Sequence, residues 1–391
     1  MLETLLLMLV VASWIYWLVA WWMTRTHFRS RLEANRTFTP AVSILKPVKG
    51  LDTQAYENYA SFCRQNYPTY EMLFGFADPE DPAIAVVERL QREFAQCDIR
   101  LVIGAAFGAN RKASLLHHLA AEARHQVLVI SDSDMRVTAN YLRRVVAPLE
   151  DEKIGLVTCP YRGELPLSQA AQLTALHMGT TFLPSVVVAS RLFRLPLAMG
   201  ATMALRQNDL ERFGGFESIA DYLADDYQLG AHVADLGLRV HLSDYVTVTI
   251  LGTSTLREQW HRELRWTRCI RICRPWEYPG LLFTFSTPLA LTLLLISGFA
   301  MVGWQALAVS LVLRWLVAWW VTGCSGDWET RRWLLWLPVR DVLSALVWCI
   351  GGFGRRIVWR GEEFVLQPGG RMQPLPPRKE TPLRRQLPGR P

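Results

Sequence analysis

Val127-Leu-Val-Ile-Ser-Asp-Ser-Asp134 decides the fold. Its four aliphatic residues are too short a run for a helix and read as a strand buried on both faces. Asp132 and Asp134 stand just beyond the carboxyl end of that strand, which is where open α/β sheets gather their ligands. Working outward, Val42–Leu45, Met72–Ala77, Ile99–Ile103 and Ile154–Thr158 repeat the strand pattern. Pro82–Phe94 and Lys112–Ala123 carry helical spacing between them. Alternation of this kind predicts an α/β domain over 41–256 with a Rossmann-like sheet.

The candidate site residues fall in clusters. Two carboxylates spaced as Asp132 and Asp134 suit a hard divalent cation, Mg²⁺ or Mn²⁺, that keeps positions open for diphosphate oxygens. Such a cation offsets charge on a departing nucleotide diphosphate. Turns and caps use the same residues. Asp78, in Asp78-Pro-Glu-Asp-Pro-Ala83, also follows a strand and equally suits a cap for the helix over 82–94, with Glu80 and Asp81 in its acidic first turn. Asp225 and Asp226 lie in Tyr222-Leu-Ala-Asp-Asp-Tyr-Gln-Leu-Gly230. One of them suits a general base for an attacking hydroxyl, and the pair also suits the N-terminus of a helix over 227–236. Arg262-Glu-Leu-Arg-Trp266 supplies Arg262 and Arg265 as forked donors for diphosphate, with Trp266 as a stacking surface.

The flanks point to a membrane. Hydrophobic residues make up 51% of 391, and there are 16 tryptophans. Residues 1–23 carry only Glu3 as a charge, lack a basic start and a small-residue cleavage site, and read as an uncleaved anchor. Arg25, Arg29 and Arg31 follow in a basic linker over 24–40, so the positive-inside rule places the α/β domain in the cytoplasm. Between Glu277 and Asp327 only Arg314 is charged, which predicts spans near 282–302 and 305–323. A third apolar segment, 333–353, contains Arg340 and Asp341 and is expected to be only partly inserted. Within 281–353 this makes two clean C-terminal spans. Residues 181–199 are too broken for a span and read as interfacial, and 257–280 reads as a basic, tryptophan-rich interfacial segment. The Pro-rich tail over 354–391 has nine Lys/Arg against three Glu, which suits an anionic leaflet better than nucleic acid. Seven scattered cysteines without Cys-x-x-Cys argue for a reducing compartment.

Taken together, the ordered clusters resemble the ceramide glucosyltransferase-like family of membrane glycosyltransferases, with its D, D, D, (Q/R)xxRW pattern. Ser43-Ile-Leu-Lys-Pro-Val-Lys-Gly50, the Asp78 segment, Ser131-Asp-Ser-Asp-Met-Arg-Val137, Ala224-Asp-Asp-Tyr227 and Arg262–Trp266 carry the likeness. The resemblance implies a GT-A fold, a UDP-sugar donor, a membrane-lipid acceptor, and inversion in a single displacement. It implies that Asp78, Lys112 and Asp132 bind the nucleotide-sugar, that Asp132 and Asp134 hold the metal, and that Asp226, beside Asp225, is the base. Arg262, Arg265 and Trp266 would clamp diphosphate and acceptor. Asp134 departs from the Asp-Ser-Gly of the animal enzymes. The short N-terminus and Trp-rich anchor look bacterial, implying an inner-membrane enzyme. The hopanoid-associated branch, moving N-acetylglucosamine from UDP-N-acetylglucosamine to bacteriohopanetetrol, is the first expectation, and glucosylation of ceramide the second. A processive polysaccharide synthase and a non-catalytic nucleotide-sugar or lipid binder remain as alternatives; the former would need more spans.

Overall fold

The structure is a computed structural model and describes residues 1–29, 37–359 and 361–375. Arg31 and the tail beyond 375 lie outside the described residues. In chain order the first half runs α1 (Leu2–Arg29), β1 (Val42–Pro47), α2 (Ala55–Phe62), β2 (Tyr70–Phe76), α3 (Ala83–Glu93), β3 (Asp98–Ile103), α4 (Arg111–Glu122), β4 (Val127–Ser131), β5 (Met135–Arg136), α5 (Tyr141–Val146), β6 (Ile154–Thr158) and β7 (Tyr161–Pro166). It continues with α6 (Gln169–His177), α7 (Leu183–Arg191), β8 (Thr202–Arg206), α8 (Gln207–Arg212), α9 (Asp225–Asp235), β9 (Arg239–Leu242), β10 (Thr247–Gly252) and α10 (Leu256–Cys273). The C-terminal part comprises α11 (Ser286–Ile296), α12 (Met301–Ser325), α13 (Leu337–Gly351), β11 (Arg356–Trp359), β12 (Glu362–Leu366) and β13 (Met372–Pro374).

All five strands expected from the sequence are present. Together with β8 and β9 they form a seven-stranded sheet in the order β3-β2-β1-β4-β8-β6-β9. Strands β3, β2, β1 and β4 are mutually parallel, and β8 runs antiparallel between β4 and β6. The apolar runs are buried on both faces. Val42, Ile44, Met72, Phe74, Val127 and Val129 face one core, and Leu45, Leu73, Leu128 and Ile130 face the other. This double burial explains why the strands read as continuous rather than alternating. A small sheet, β5-β10-β7, lies beyond the end of β4.

Among the described residues, four helices are long and apolar enough to cross a membrane: Leu2–Arg29, Gln169–Arg191, Met301–Ser325 and Thr330–Gly351. The clean span expected near 282–302 is not found: Tyr278–Thr284 and the 11-residue α11 that follows are bent by 76° at their junction. Helices α1 and α12 run side by side in the same direction. Trp14 Nε1 donates to Ser310 Oγ at 2.8 Å, the Arg314 guanidinium lies 3.8 Å from the Trp17 ring centre, and Arg25 faces Trp320. The far end of α1 reaches the α/β domain, where His27 Nε2 meets the Ser243 carbonyl at 3.1 Å. Helix α13 packs against α10 and α11. Just ahead of it, Glu329 accepts from Leu165 N, and at its end Arg271 of α10 donates to the Gly351 carbonyl.

Three further expectations are amended. The apolar stretch over 181–199 begins earlier, at Gln169, as helices α6 and α7 joined through a π-helical turn over Met178–Phe182. It is largely buried between α1 and α12 rather than lying at an interface, with Leu183 and Val187 against Trp17 and Val321. Helix α10 is likewise more than a surface helix. Arg268 and Arg271 hold the carbonyls of Arg356 and Gly351, because a chain arriving from α13 leaves carbonyls there to satisfy. Finally, the first part of the expected tail is folded. Strands β11, β12 and β13 form an antiparallel sheet that seals onto the loop before α9, with Leu223 N donating to Gly370 O and Met372 N to Asp221 O.

Candidate active site

The site lies where the strands' carboxyl ends face α4, α9 and α10. Strand β4 stops at Ser131, and Asp132 follows. Helix α4 starts at Arg111 because Asn110 caps it, its Oδ1 accepting from Lys112 N and Ala113 N at 3.0 and 3.1 Å. The same Asn110 amide donates to Tyr222 O and, at 3.4 Å, to Asp225 Oδ1. One side chain thus sets the start of α4 and ties it to the loop leading into α9.

Lys112 is the hub. Its Nζ is 2.6 Å from Asp132 Oδ1, 3.8 Å from Asp225 Oδ2, and donates to Gly200 O at 3.2 Å. Burial alone would push its ammonium down, but Asp132, Asp225 and Asp226 outweigh it and the net shift is upward. Asp226 Oδ2 accepts from Gly200 N at 2.8 Å, and its Oδ1 accepts from Tyr227 N. Burial, then the neighbouring Asp225, pushes Asp226 up to about 6. Gly200 lets the two side chains approach, since a Cβ there would sit 3.1 Å from Lys112 Nζ and 3.3 Å from Asp226 Oδ2 and press on both.

Asp134 sits behind Asp132 and is half-buried. Its Oδ2 accepts from Thr249 Oγ1 at 2.7 Å, and its backbone carbonyl from Ile250 N, both on β10. Burial, then Asp132, pushes Asp134 up to about 7. Beneath both runs Lys46, buried at the end of β1, with Nζ donating to Asp132 O at 2.9 Å and lying 3.7 Å from the Phe62 ring centre. Burial brings its ammonium down to about 7.

Of the residues singled out in the sequence, Lys112, Asp132, Asp225 and Asp226 come together directly, with Asp134 immediately adjacent. Arg262 approaches from α10. Its Nη2 donates to Thr174 Oγ1 at 2.9 Å, its guanidinium lies 5.7 Å from the Trp266 ring centre, and it feels the charge of Asp134. Arg265 is half-buried beside Trp266 on the same helix. Asp78 stands apart. It follows β2, with β1 between it and β4, and is exposed, its Oδ1 accepting from Glu80 N at 2.9 Å. The helix-capping part expected of Asp78 belongs to Asp81, which accepts from Ala83 N and from Gly50 N. Helix α9 begins at Asp225 itself, so the two aspartates form its first turn, and Ala224 holds the cap position.

A family model described as Glycosyl transferase family 21 matches residues 5–372. The chain belongs to glycosyl transferase family 21. This family-21 protein is 26% identical over 369 residues to ceramide glucosyltransferase 3 of Caenorhabditis elegans, covering 90% of this chain and 78% of the relative. It is 25% identical to ceramide glucosyltransferase 1 of the same organism, covering 91% and 78%. Among solved structures, a mannosyltransferase from Pyrobaculum calidifontis in complex with GDP-Man and Mn²⁺ superposes with a TM-score of 0.52 at 20% identity, covering 90% of this chain and 99% of that one. That likeness shows the GT-A fold. The protein is a hexosyltransferase.

Four site residues were missed in the sequence. Lys46 lay inside a quoted motif, and its position at a strand end was a usable signal. Asn110 stands just ahead of the helical spacing over Lys112–Ala123, a usable N-cap signal, whereas nothing in the local sequence of Gly200 or Thr249 marks them.

Proposed function

We propose that this family-21 enzyme moves one sugar from a UDP-sugar to a hydroxyl of a membrane lipid, inverting the anomeric centre in one displacement. The carrying observation is Asp226: a half-buried carboxylate, raised toward neutrality, oriented by Gly200 N and Tyr227 N and set beside Lys112. Such a group accepts a proton readily near neutral pH. It takes the proton from the acceptor hydroxyl as that oxygen bonds to the anomeric carbon and the bond to the diphosphate breaks. Asp225 raises the basicity of Asp226, and Lys112 keeps the carboxylates in register. Arg262 and Arg265, with Trp266, face the departing diphosphate and the acceptor. Asp78 stands at the nucleoside end.

Asp132 and Asp134 fit a divalent cation. Their mutual repulsion and the raised Asp134 carboxyl mark a pocket short of positive charge, although no set of three metal-ligating side chains converges among the described residues. Two carboxylates plus diphosphate oxygens suit Mg²⁺ or Mn²⁺, which when bound would stabilise charge on the leaving group. The enzyme sits in a bacterial inner membrane with its α/β domain in the cytoplasm, an orientation that the basic end of α1 supports.

UDP-N-acetylglucosamine with bacteriohopanetetrol is the first donor–acceptor pair. UDP-glucose with ceramide is the second, supported by the names of the relatives. Membranes holding the protein, given each labelled donor with each lipid, test both. Label entering one lipid assigns donor and acceptor, and label in neither rejects the pairs.

A further inference from the structure

A cleft of ≈ 320 Å³ opens between α6, α10 and α13. Leu173, Leu176, Trp260, Leu343 and Val347 make its walls, with Trp336 and Val339 on an exposed apolar rim. Its floor is polar and buried. Gln259 and Arg340 are 4% and 2% exposed, and both line the cleft. Gln259 Nε2 donates to Glu263 Oε1 at 2.9 Å, and Arg340 Nη2 pairs with Glu263 Oε2 at 2.8 Å. Gln259 Oε1 and Arg340 Nε have no partner. A buried acceptor and a buried donor left open on two residues that share Glu263 are costly unless something polar reaches them.

We propose that this cleft seats the acceptor lipid. Its apolar body lies against the leucines and tryptophans, while a hydroxyl or amide of its polar part bridges Gln259 Oε1 and Arg340 Nε. This rests on the lipid-acceptor reading above. The required ligand has an apolar body joined to a group that both donates and accepts, which excludes a plain hydrocarbon chain. Two structural facts set it beside the arginine–tryptophan end of the candidate site. On α10, at 100° per residue, the face of Leu256, Gln259, Trp260 and Glu263 borders the face of Arg262 and Trp266. Arg262 in turn bonds to Thr174, on the helix whose Leu173 and Leu176 line the cleft. The Arg262–Thr174 contact therefore forms the partition between the cleft and the carboxylates. A lipid in the cleft reaches Asp226 by extending its reactive hydroxyl past Trp266. The rim lies on the Thr330–Gly351 segment, which is apolar enough to meet the bilayer.

The test uses the full-length protein in detergent or nanodiscs. Leu343→Trp fills the cleft, and Gln259→Leu removes the open acceptor at similar volume. Each is expected to raise KM for the lipid at least tenfold and leave KM for the UDP-sugar within twofold. An unchanged lipid KM in a folded Leu343→Trp protein overturns the proposal. Should both variants fail to fold, the wild-type protein is photolabelled with ceramide bearing a diazirine in its acyl chain. Peptides containing Leu173 or Leu343 should carry the label, and unlabelled acceptor, ceramide or bacteriohopanetetrol, should displace it. Label elsewhere, or equal labelling by a diazirine phosphatidylcholine, overturns the assignment to the acceptor. A wild-type protein that glycosylates neither lipid removes the underlying lipid-acceptor reading. An active wild type with an indifferent cleft removes only this inference.

Discussion

Two regions of this protein bury charge, and they do so in opposite ways. Between the membrane-facing helices, Arg314 of α12 is satisfied on every side. Its Nη2 and Nε hold the two oxygens of Asp341 at 2.8 and 3.0 Å, and it also donates to Thr180 O and Thr181 Oγ1. Arg340, next to Asp341 in sequence, pairs with Glu263 of α10 instead. Cation and anion are matched one to one. In the active site, Asp132, Asp134, Asp225 and Asp226 surround Lys112 and Lys46, and two of the four carboxyls are pushed to about 6 and about 7. Matched charge in the helices fixes their packing. Surplus negative charge in the site leaves room for a cation and a proton.

That contrast can be broken experimentally, first where the effect should be greatest. Asp226→Asn should lower transfer by about 10²–10⁴-fold, the range of a lost general base, with membrane insertion intact; a variant with full turnover rejects the assignment. Chelation with EDTA should stop transfer and added Mn²⁺ restore it, measured by the same labelled-sugar assay, because Asp132 and Asp134 alone cannot neutralise a diphosphate. In the helices, Arg314→Leu should cost stability rather than chemistry. It strands Asp341, and breaking a buried pair in this way costs about 3–5 kcal/mol, read as a lowered melting temperature in detergent.

A pH profile separates the regions further. Asp226 has its folded value raised to about 6, chiefly by burial and then by Asp225. Its base form is therefore present above that value and lost as pH falls through it. The kcat/KM should fall about tenfold per pH unit below about pH 6; a flat profile down to pH 5 contradicts the assignment. The smallest change is expected from replacing both partners of the matched pair, Arg314→Met with Asp341→Leu. Apolar substitution of a whole buried pair is often close to neutral, so this double variant should recover most of the stability lost in Arg314→Leu.

Local pattern carried much of this structure. Each of the five apolar runs became a strand, since a sheet covered on both faces demands uninterrupted aliphatic residues. Lys112–Ala123 became α4 almost to the residue. Asp132, Asp225 and Asp226 were legible because their positions at a strand end and in the first turn of a helix follow from such elements. Thr249 and Gly200 were not, because each matters only through a neighbour distant in the chain. Thr249 meets Asp134 across 115 residues, and Gly200 meets Asp226 across 26. The folded segment β11–β13 was hidden for another reason: its strands are short, and their burial comes from Leu223 and Cys269 on other elements.

Residues 333–353 show the boundary between the two kinds of information. The sequence by itself determined that an arginine and an aspartate stood together in an apolar segment, and that so placed they needed partners. It could not determine which ones. Neighbours in a helix project 100° apart and do not face each other. Arg340 therefore turned to Glu263, 77 residues away, and Asp341 to Arg314, 27 residues away. Periodicity and composition act within a few residues and fix strands, helices and apolar segments. The pairing of charges, and with it the shape of the active site and of the cleft beside it, is set by contacts that exist only once those elements have packed.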